Sequence, residues 1–119
     1  MKRNISVPMI LACLFLLFAA VPSAWVLAGQ DDDPGKALYD SRCKMCHGED
    51  GKADTRAGKM MKTPDLTTGT WKHGSTLADV EKVVTEGAGK MPKFEGKLTA
   101  DQIKEVSQYI LKFAPSPSH

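Results

Sequence analysis

Two cysteines that lie three positions apart and are followed at once by a histidine constrain this chain more than any other feature. They stand in the sequence C-K-M-C-H at positions 43–47. The third cysteine, Cys13, lies in an apolar N-terminal segment, so the chain has no spaced set of cysteines for a disulfide framework. The pair at Cys43 and Cys46 must therefore act locally.

The spacing C-x-x-C-H is typical of covalent haem attachment. Two thiols at this spacing add to the two vinyl groups on one edge of a haem, and the histidine that follows lies beneath the iron as its proximal ligand. We predict that Cys43 and Cys46 hold one haem c and that His47 ligates the iron.

Zinc binding and thiol redox chemistry are the two alternatives for this motif. A structural zinc site needs a second pair of ligands, and neither His73 nor His119 has a cysteine beside it. A thioredoxin-type pair needs a βαβ context, and the sequence shows no strand pattern. Haem attachment is therefore the prediction we retain.

The second axial ligand is predicted to be Met91, in the sequence G-K-M-P at positions 89–92. It lies 44 residues beyond His47, far enough for the chain to encircle a haem and return on its other face. Glycine and proline fix the backbone around it. Histidine and methionine together raise the reduction potential and leave no open position for a substrate. The alternatives are Met60, Met61 and His73.

The first 28 residues have the pattern of an export signal. Lys2 and Arg3 precede an apolar run over residues 9–21, and V-L-A ends the segment. We expect cleavage after Ala28 and a periplasmic or otherwise exported protein. Because residues 5–28 are long enough to span a bilayer, an uncleaved membrane anchor is the alternative.

Beyond this segment the charge is balanced. Two of the 16 basic residues lie within it, so the rest of the chain carries 14 basic and 14 acidic residues, and no nucleic-acid or bulk membrane partner is implied. Three lysines nevertheless cluster on either side of the predicted methionine, and two more lie in the earlier loop. They form either a docking surface for an acidic redox partner or an ordinary solvated face. These lysines are Lys59, Lys62, Lys90, Lys93 and Lys97.

The pattern of apolar and capping residues predicts an all-α fold. Asp33 and Pro34 begin a helix over residues 34–43. Thr76 or Ser75 caps a second helix, with Asp79 placed to complete a capping box, and Gly87 and Gly89 end it. T-A-D-Q at positions 99–102 is a capping box for the last helix. Residues 49–72 show no sustained period and are predicted to be an ordered loop.

With these motifs the chain resembles the small bacterial class I cytochromes c, which carry one haem. The resemblance rests on Gly35 and Tyr39 before the C-K-M-C-H-G sequence, on Met91 within G-K-M-P, and on Tyr109 in the closing helix. It implies the cytochrome c fold, with three or more helices and long loops wrapped around one covalent haem. The division is then a signal peptide (1–28), a linker (29–33), a cytochrome c domain (34–114) and a disordered tail (115–119).

The resemblance also implies which residues surround the haem and what the protein does. The first and last helices cross at Gly35 and Tyr109. Pro64, Leu66 and Trp71 lie along the haem, and the Trp71 N–H is directed at a propionate. The function implied is transfer of single electrons between redox proteins by a monomer that is not itself an enzyme.

Two other functions stay open at this point. A haem subunit of a membrane oxidase or dehydrogenase complex would share every motif. A gas-binding haem sensor would follow if Met91 were not a ligand.

Overall fold

The computed structural model describes residues 33–115, which form an all-α fold. Within this range there are five α-helices and one 3-10 turn, and the β pairing consists of two isolated bridges. The all-α prediction is confirmed. The elements are α1 (Pro34–Arg42), α2 (Lys44–His47), α3 (Arg56–Met61), the 3-10 turn (Leu66–Thr68), α4 (Leu77–Glu86) and α5 (Ala100–Leu111).

The predicted export signal, residues 29–32 of the linker and residues 116–119 of the tail lie outside the described residues. In the part of the chain that is described, no helix combines the length and the apolar character needed to cross a membrane.

Helix α1 begins as its sequence predicts and ends one residue earlier. The Asp33 carboxylate accepts a hydrogen bond from the Lys36 backbone N–H at 3.2 Å, and Pro34 occupies the first turn. Cys43 then serves as the C-cap of α1 and the N-cap of α2. The cysteine that begins the C-x-x-C-H sequence thus stands at the break between two helices.

Both predicted capping boxes are present. The Thr76 hydroxyl accepts from the Asp79 N–H at 3.2 Å, while the Asp79 carboxylate accepts from the Thr76 N–H at 3.0 Å. Thr99 and Gln102 make the same reciprocal pair at the start of α5, at 3.2 and 2.9 Å. Each box satisfies backbone donors that the first helical turn leaves without an intrahelical partner.

The loop prediction for residues 49–72 is wrong at two short segments, α3 and the 3-10 turn. Helix α3 has six residues, begins at a Thr55 cap and ends at Lys62, whose φ of 54° is left-handed. Such a helix is too short to display a 3.6-residue period or to be stable alone, so tertiary contacts must stabilise it.

The centre of the fold is the crossing of α1 and α5 at Gly35, as the family resemblance predicts. A Cβ added to the buried Gly35 would overlap the Glu105 carbonyl oxygen and lie 3.0 Å from the Tyr109 Cβ. The fully buried Tyr39 stacks obliquely on Tyr109 and Phe113, with ring centroids 5.3 and 5.0 Å away. The two helices therefore meet at backbone distance beside an aromatic cluster.

Gly35→Ala is expected to lower the free energy of unfolding by about 2 kcal/mol. Overpacking against backbone typically costs about 1–3 kcal/mol or more, which exceeds the gain of about 1 kcal/mol from replacing helical glycine by alanine. Urea denaturation followed by circular dichroism measures the loss. Ala37→Ser, at an exposed position of the same helix, is the control and should change stability by under about 0.5 kcal/mol. Equal stability of the two variants would contradict the close crossing.

Candidate haem site

The two cysteines of the motif are presented by a single helical turn. The backbone N–H groups of Cys46 and His47 donate to the Cys43 carbonyl at 3.1 and 3.0 Å. This spacing places residues three apart on the same side of the turn. Cys43 is 8% exposed, Cys46 is half-buried, and both are free thiols. The geometry suits attachment of one edge of a flat group.

Burial sets the protonation of these side chains. It raises the pKa of the Cys43 thiol to about 11, with the neighbouring Cys46 as a smaller cause. It also lowers the pKa of His47, which favours the neutral imidazole, the form that binds a metal.

The His47 ring carries a buried nitrogen that the described residues leave without a partner. Its Nδ1 atom has no hydrogen-bond partner among them. Buried polar atoms in folded proteins nearly always find a partner, so this one points to a group that the polypeptide does not supply.

Three residues outside the C-x-x-C-H sequence form hydrogen bonds with backbone carbonyls in or next to it. The Tyr39 hydroxyl donates to the Gly48 carbonyl at 2.7 Å, and the Ala53 N–H donates to the His47 carbonyl at 2.8 Å. The Thr55 hydroxyl lies 2.8 Å from the Met45 carbonyl oxygen and 3.1 Å from that of Cys46. These bonds link α1, α2 and α3 around the C-x-x-C-H sequence.

Glycine at position 58 lets α3 approach this turn. A Cβ added to the buried Gly58 would overlap the carbonyl oxygens of Cys46 and Ala53. The six-residue helix that the sequence failed to predict is thus a support for the cysteine turn. Its sequence signal, a threonine cap three residues before a glycine, is common and was not sufficient to identify it.

The structure brings Met91 to the same core as Cys43. Met91 is half-buried and packs against the buried cluster that contains Cys43 and Leu66. The alternative methionines are on the surface, with exposed fractions of 66% for Met60 and 45% for Met61. Among residues 33–115, Met91 is the one methionine that contacts this core.

Of the three residues predicted to line the haem, two join the core and one does not. Leu66 is buried and Trp71 packs on the cluster, whereas Pro64 is exposed. The Trp71 indole N–H donates to the Leu66 carbonyl at 3.3 Å. Contact between Trp71 and a propionate stays a prediction. Phe94, which no sequence motif marks as a haem-pocket residue, also packs against the core.

His73, the histidine alternative, lies elsewhere. It is exposed and lines a surface groove with Asp79, Lys82 and Glu86, and this groove includes no residue of the C-x-x-C-H sequence. Its placement therefore gives no support to His73 as a second histidine ligand of the haem iron.

The residues that the structure assembles fit a covalently attached haem. Two free thiols lie on one turn, the half-buried His47 has a buried nitrogen without a partner among the described residues, and a thioether lies at the edge of the apolar cluster that contains Cys43. Thiols are the groups that bind haem c covalently, and imidazole and thioether are groups that ligate its iron. A bound haem would also add a large apolar surface to a core that is small for a chain of this size.

Comparison with known proteins gives the same class. Residues 30–110 match the family described as cytochrome c oxidase, cbb3-type, subunit III. The chain is 34% identical to the cbb3-type oxidase subunit CcoP of Azospirillum brasilense, with 66% of the chain and 27% of that subunit covered. It therefore spans about a quarter of the length of such subunits.

Shorter proteins match over nearly their whole length. Cytochrome c6 of Gloeothece citriformis is 34% identical, with 96% of both chains covered. The solved structure of the c-type cytochrome KustC0563 superposes with a TM-score of 0.61 and 27% identity, covering 68% of this chain and 98% of that one.

Fold, motif and relatives define a small class I c-type cytochrome that transfers electrons through one covalently bound haem c. Within that class the chain belongs to the family of cbb3-type cytochrome c oxidase subunit III domains.

Thr55→Val is expected to destabilise the haem-loaded protein by about 1–2 kcal/mol. The variant loses the cap of α3, where the hydroxyl accepts from the Gly58 N–H at 2.9 Å, and the contacts to the Met45 and Cys46 carbonyls. Urea denaturation followed by circular dichroism reports the change. Thr55→Ser keeps the hydroxyl and should stay close to the parent, so an equal loss in both variants would show that the methyl group matters instead.

Proposed function

We propose that this protein is an exported carrier of single electrons in which Cys43 and Cys46 bind the haem and His47 and Met91 are the two axial ligands. The observation that carries the proposal is that Met91 packs against the core containing Cys43 while Met60 and Met61 are exposed. With both axial positions filled by side chains, no position is left for a substrate, so the protein by itself is not an enzyme.

When bound, haem c supplies a reversible one-electron iron couple. The protein's residues would ligate the iron, set its reduction potential and limit its contact with water. A neutral His47 has a lone pair to give, because burial disfavours the imidazolium. A Met91 thioether bound to the iron would favour its reduced state and raise the reduction potential. The buried cluster beside Cys43 and Met91 would exclude water from a bound haem and so limit the reorganisation that accompanies electron transfer.

Residues 1–28 are proposed to direct export, with cleavage after Ala28. The proposed mature protein then has a linker at 29–33, the cytochrome domain at 34–114 and a tail at 115–119. The intact mass of the purified protein tests this, since a retained leader would support the alternative of a membrane anchor.

Membership of an oxidase complex is the second candidate. It is favoured by the family match, because the CcoP relatives are named as subunits of cbb3-type oxidases. The independent carrier is favoured by the cytochrome c6 relatives, which the chain matches nearly end to end. Affinity purification from native membranes, followed by size-exclusion chromatography, separates a complex from a free monomer.

A methionine ligand gives an oxidised c-type cytochrome a weak far-red absorption band, which arises from its bond to the iron. Met91→Ala is expected to remove this far-red band of the oxidised protein and to let carbon monoxide bind the reduced haem. Loss of the thioether should also lower the reduction potential. Absorption spectra with and without carbon monoxide, together with a redox titration, measure all three effects.

Met60→Ala and Met61→Ala are the matched controls, because they remove the same side chain from exposed positions. Both should keep the band. If the parent protein lacks the band and binds carbon monoxide readily, Met91 is not its ligand and the gas-sensor alternative gains support.

We also propose that Lys90 and Lys93, which flank Met91 in the sequence, form a docking surface for an acidic redox partner together with Lys59 and Lys62 of the earlier segment. Lys90 and Lys62 are exposed, and no salt bridge is found for either among the described residues. Lys93 and Lys59 make long, exposed pairs with Glu95 and Asp54 at 3.8 and 3.7 Å, which neutralise little in water. The surface therefore keeps positive charge available for steering.

Lys90→Glu is expected to slow oxidation of the reduced protein by ferricyanide several-fold at low ionic strength. The anionic oxidant is attracted by positive charge near its site of electron transfer, and screening by salt should shrink the difference. Stopped-flow kinetics at several salt concentrations measures it. Lys104→Glu, an exposed change of the same charge on α5, is the control. Identical rates for the two variants would mean that the lysines are an ordinary solvated face.

A further inference from the structure

We propose that Gly87 is a positioning residue for Met91, because its conformation and its missing side chain let the methionine segment lie directly against the end of α4. The proposal rests on the proposed role of Met91 as an axial ligand. It concerns a glycine that lies four residues before the methionine and outside the G-K-M-P sequence.

The chain turns sharply at the end of α4 and folds back on itself. Gly87 caps the helix with φ 76° and ψ 172°, a combination that is essentially restricted to glycine, and its N–H donates to the Val83 carbonyl at 2.8 Å. Ala88 and Met91 then exchange two backbone hydrogen bonds of 3.2 and 2.9 Å. The methionine backbone is thereby returned to the helix end.

Backbone atoms of the methionine segment crowd the position of the absent Gly87 side chain. A Cβ there would lie 2.7 Å from the Met91 carbonyl oxygen, 2.9 Å from the Lys93 nitrogen and 3.1 Å from the Pro92 carbonyl carbon. These are main-chain atoms, so no rotamer change can relieve the contact. The segment that carries Met91 would have to move.

A second set of bonds fixes the far side of the same segment. The N–H groups of Phe94 and Glu95 donate to the Val84 and Thr85 carbonyls, both at 3.1 Å. These carbonyls belong to the last turn of α4, where the helix itself supplies no donors. Met91 is therefore held between the bridge to Ala88 and the anchor at α4, and Gly87 lies at the contact between them.

Gly96 separates the effect of crowding from the effect of a positive φ alone. It lies outside the G-K-M-P sequence and has φ 74°, close to that of Gly87, but an added Cβ there meets no atom within 4 Å. Alanine at this position would carry the cost of a positive φ but would not push against the methionine backbone.

The test compares the haem-loaded variants Gly87→Ala and Gly96→Ala. Gly87→Ala is expected to lose most of the far-red band of the oxidised protein and to bind carbon monoxide when reduced, while circular dichroism shows a folded protein. The Gly96→Ala control should keep the band and exclude carbon monoxide. A Gly87→Ala protein that is less stable but keeps the full band would overturn the proposal, because its role would be structural only.

If Gly87→Ala yields no folded protein, a second pair of variants tests whether the anchored methionine segment is needed for the band. Glu95→Pro removes the N–H that bonds to Thr85, whereas Glu95→Ala keeps it. Loss of the band in Glu95→Pro alone would support an anchored methionine segment, and an unchanged band in both would overturn it. Met91→Ala separates the two proposals. If it keeps the band, the ligand assignment fails, but if it loses the band while Gly87→Ala keeps it, only the positioning role fails.

Discussion

The close crossing of α1 and α5 is the contact on which the rest of the structure depends. At Gly35 the helices approach until one backbone carbonyl, that of Glu105, occupies the space that a side chain would take. The approach brings Tyr39 against Tyr109 and Phe113, and the Tyr39 hydroxyl then reaches the Gly48 carbonyl just beyond the motif. Burial raises the pKa of Tyr39 well above its usual range, so this donor is always protonated. The crossing is thus connected directly to the backbone that ends the C-x-x-C-H turn.

The candidate site is held mainly through its main-chain atoms. The carbonyls of Cys46, His47 and Gly48 each accept a bond from another segment, two of these bonds from side-chain hydroxyls, and Met91 is held by main-chain bonds at both ends of its segment. Bonds between main-chain atoms have no rotamer freedom, so they hold the methionine segment with less fluctuation than side-chain contacts would. A site that changes its charge without changing its geometry is what rapid electron transfer requires.

Structural features that depend on a few adjacent residues were predictable from the sequence. Features that depend on contacts between residues far apart in the chain were not, unless the family resemblance implied them. The capping boxes at Thr76 and Thr99 were predictable because cap and partner lie three positions apart. The crossing at Gly35 was predicted through the family resemblance. Helix α3 was missed, because its stability comes from packing Gly58 on Cys46 rather than from its own six residues. The same reason hides the contact between Gly87 and the Met91 segment, which only the folded chain reveals.

The methionines show how one side chain takes different roles according to what surrounds it. Met45 and Met60 are on α2 and α3 and are mostly exposed, although Met45 lies between the two cysteines of the motif. Met91 has the same thioether but lies where a helix end, a tight turn and an apolar cluster meet. Composition cannot distinguish these positions, since each is a flexible apolar residue beside lysine in a short polar stretch. What distinguishes Met91 is a fixed main chain. This suits its proposed role as a ligand, because a weak, neutral ligand binds iron well only when its position is already determined before it binds.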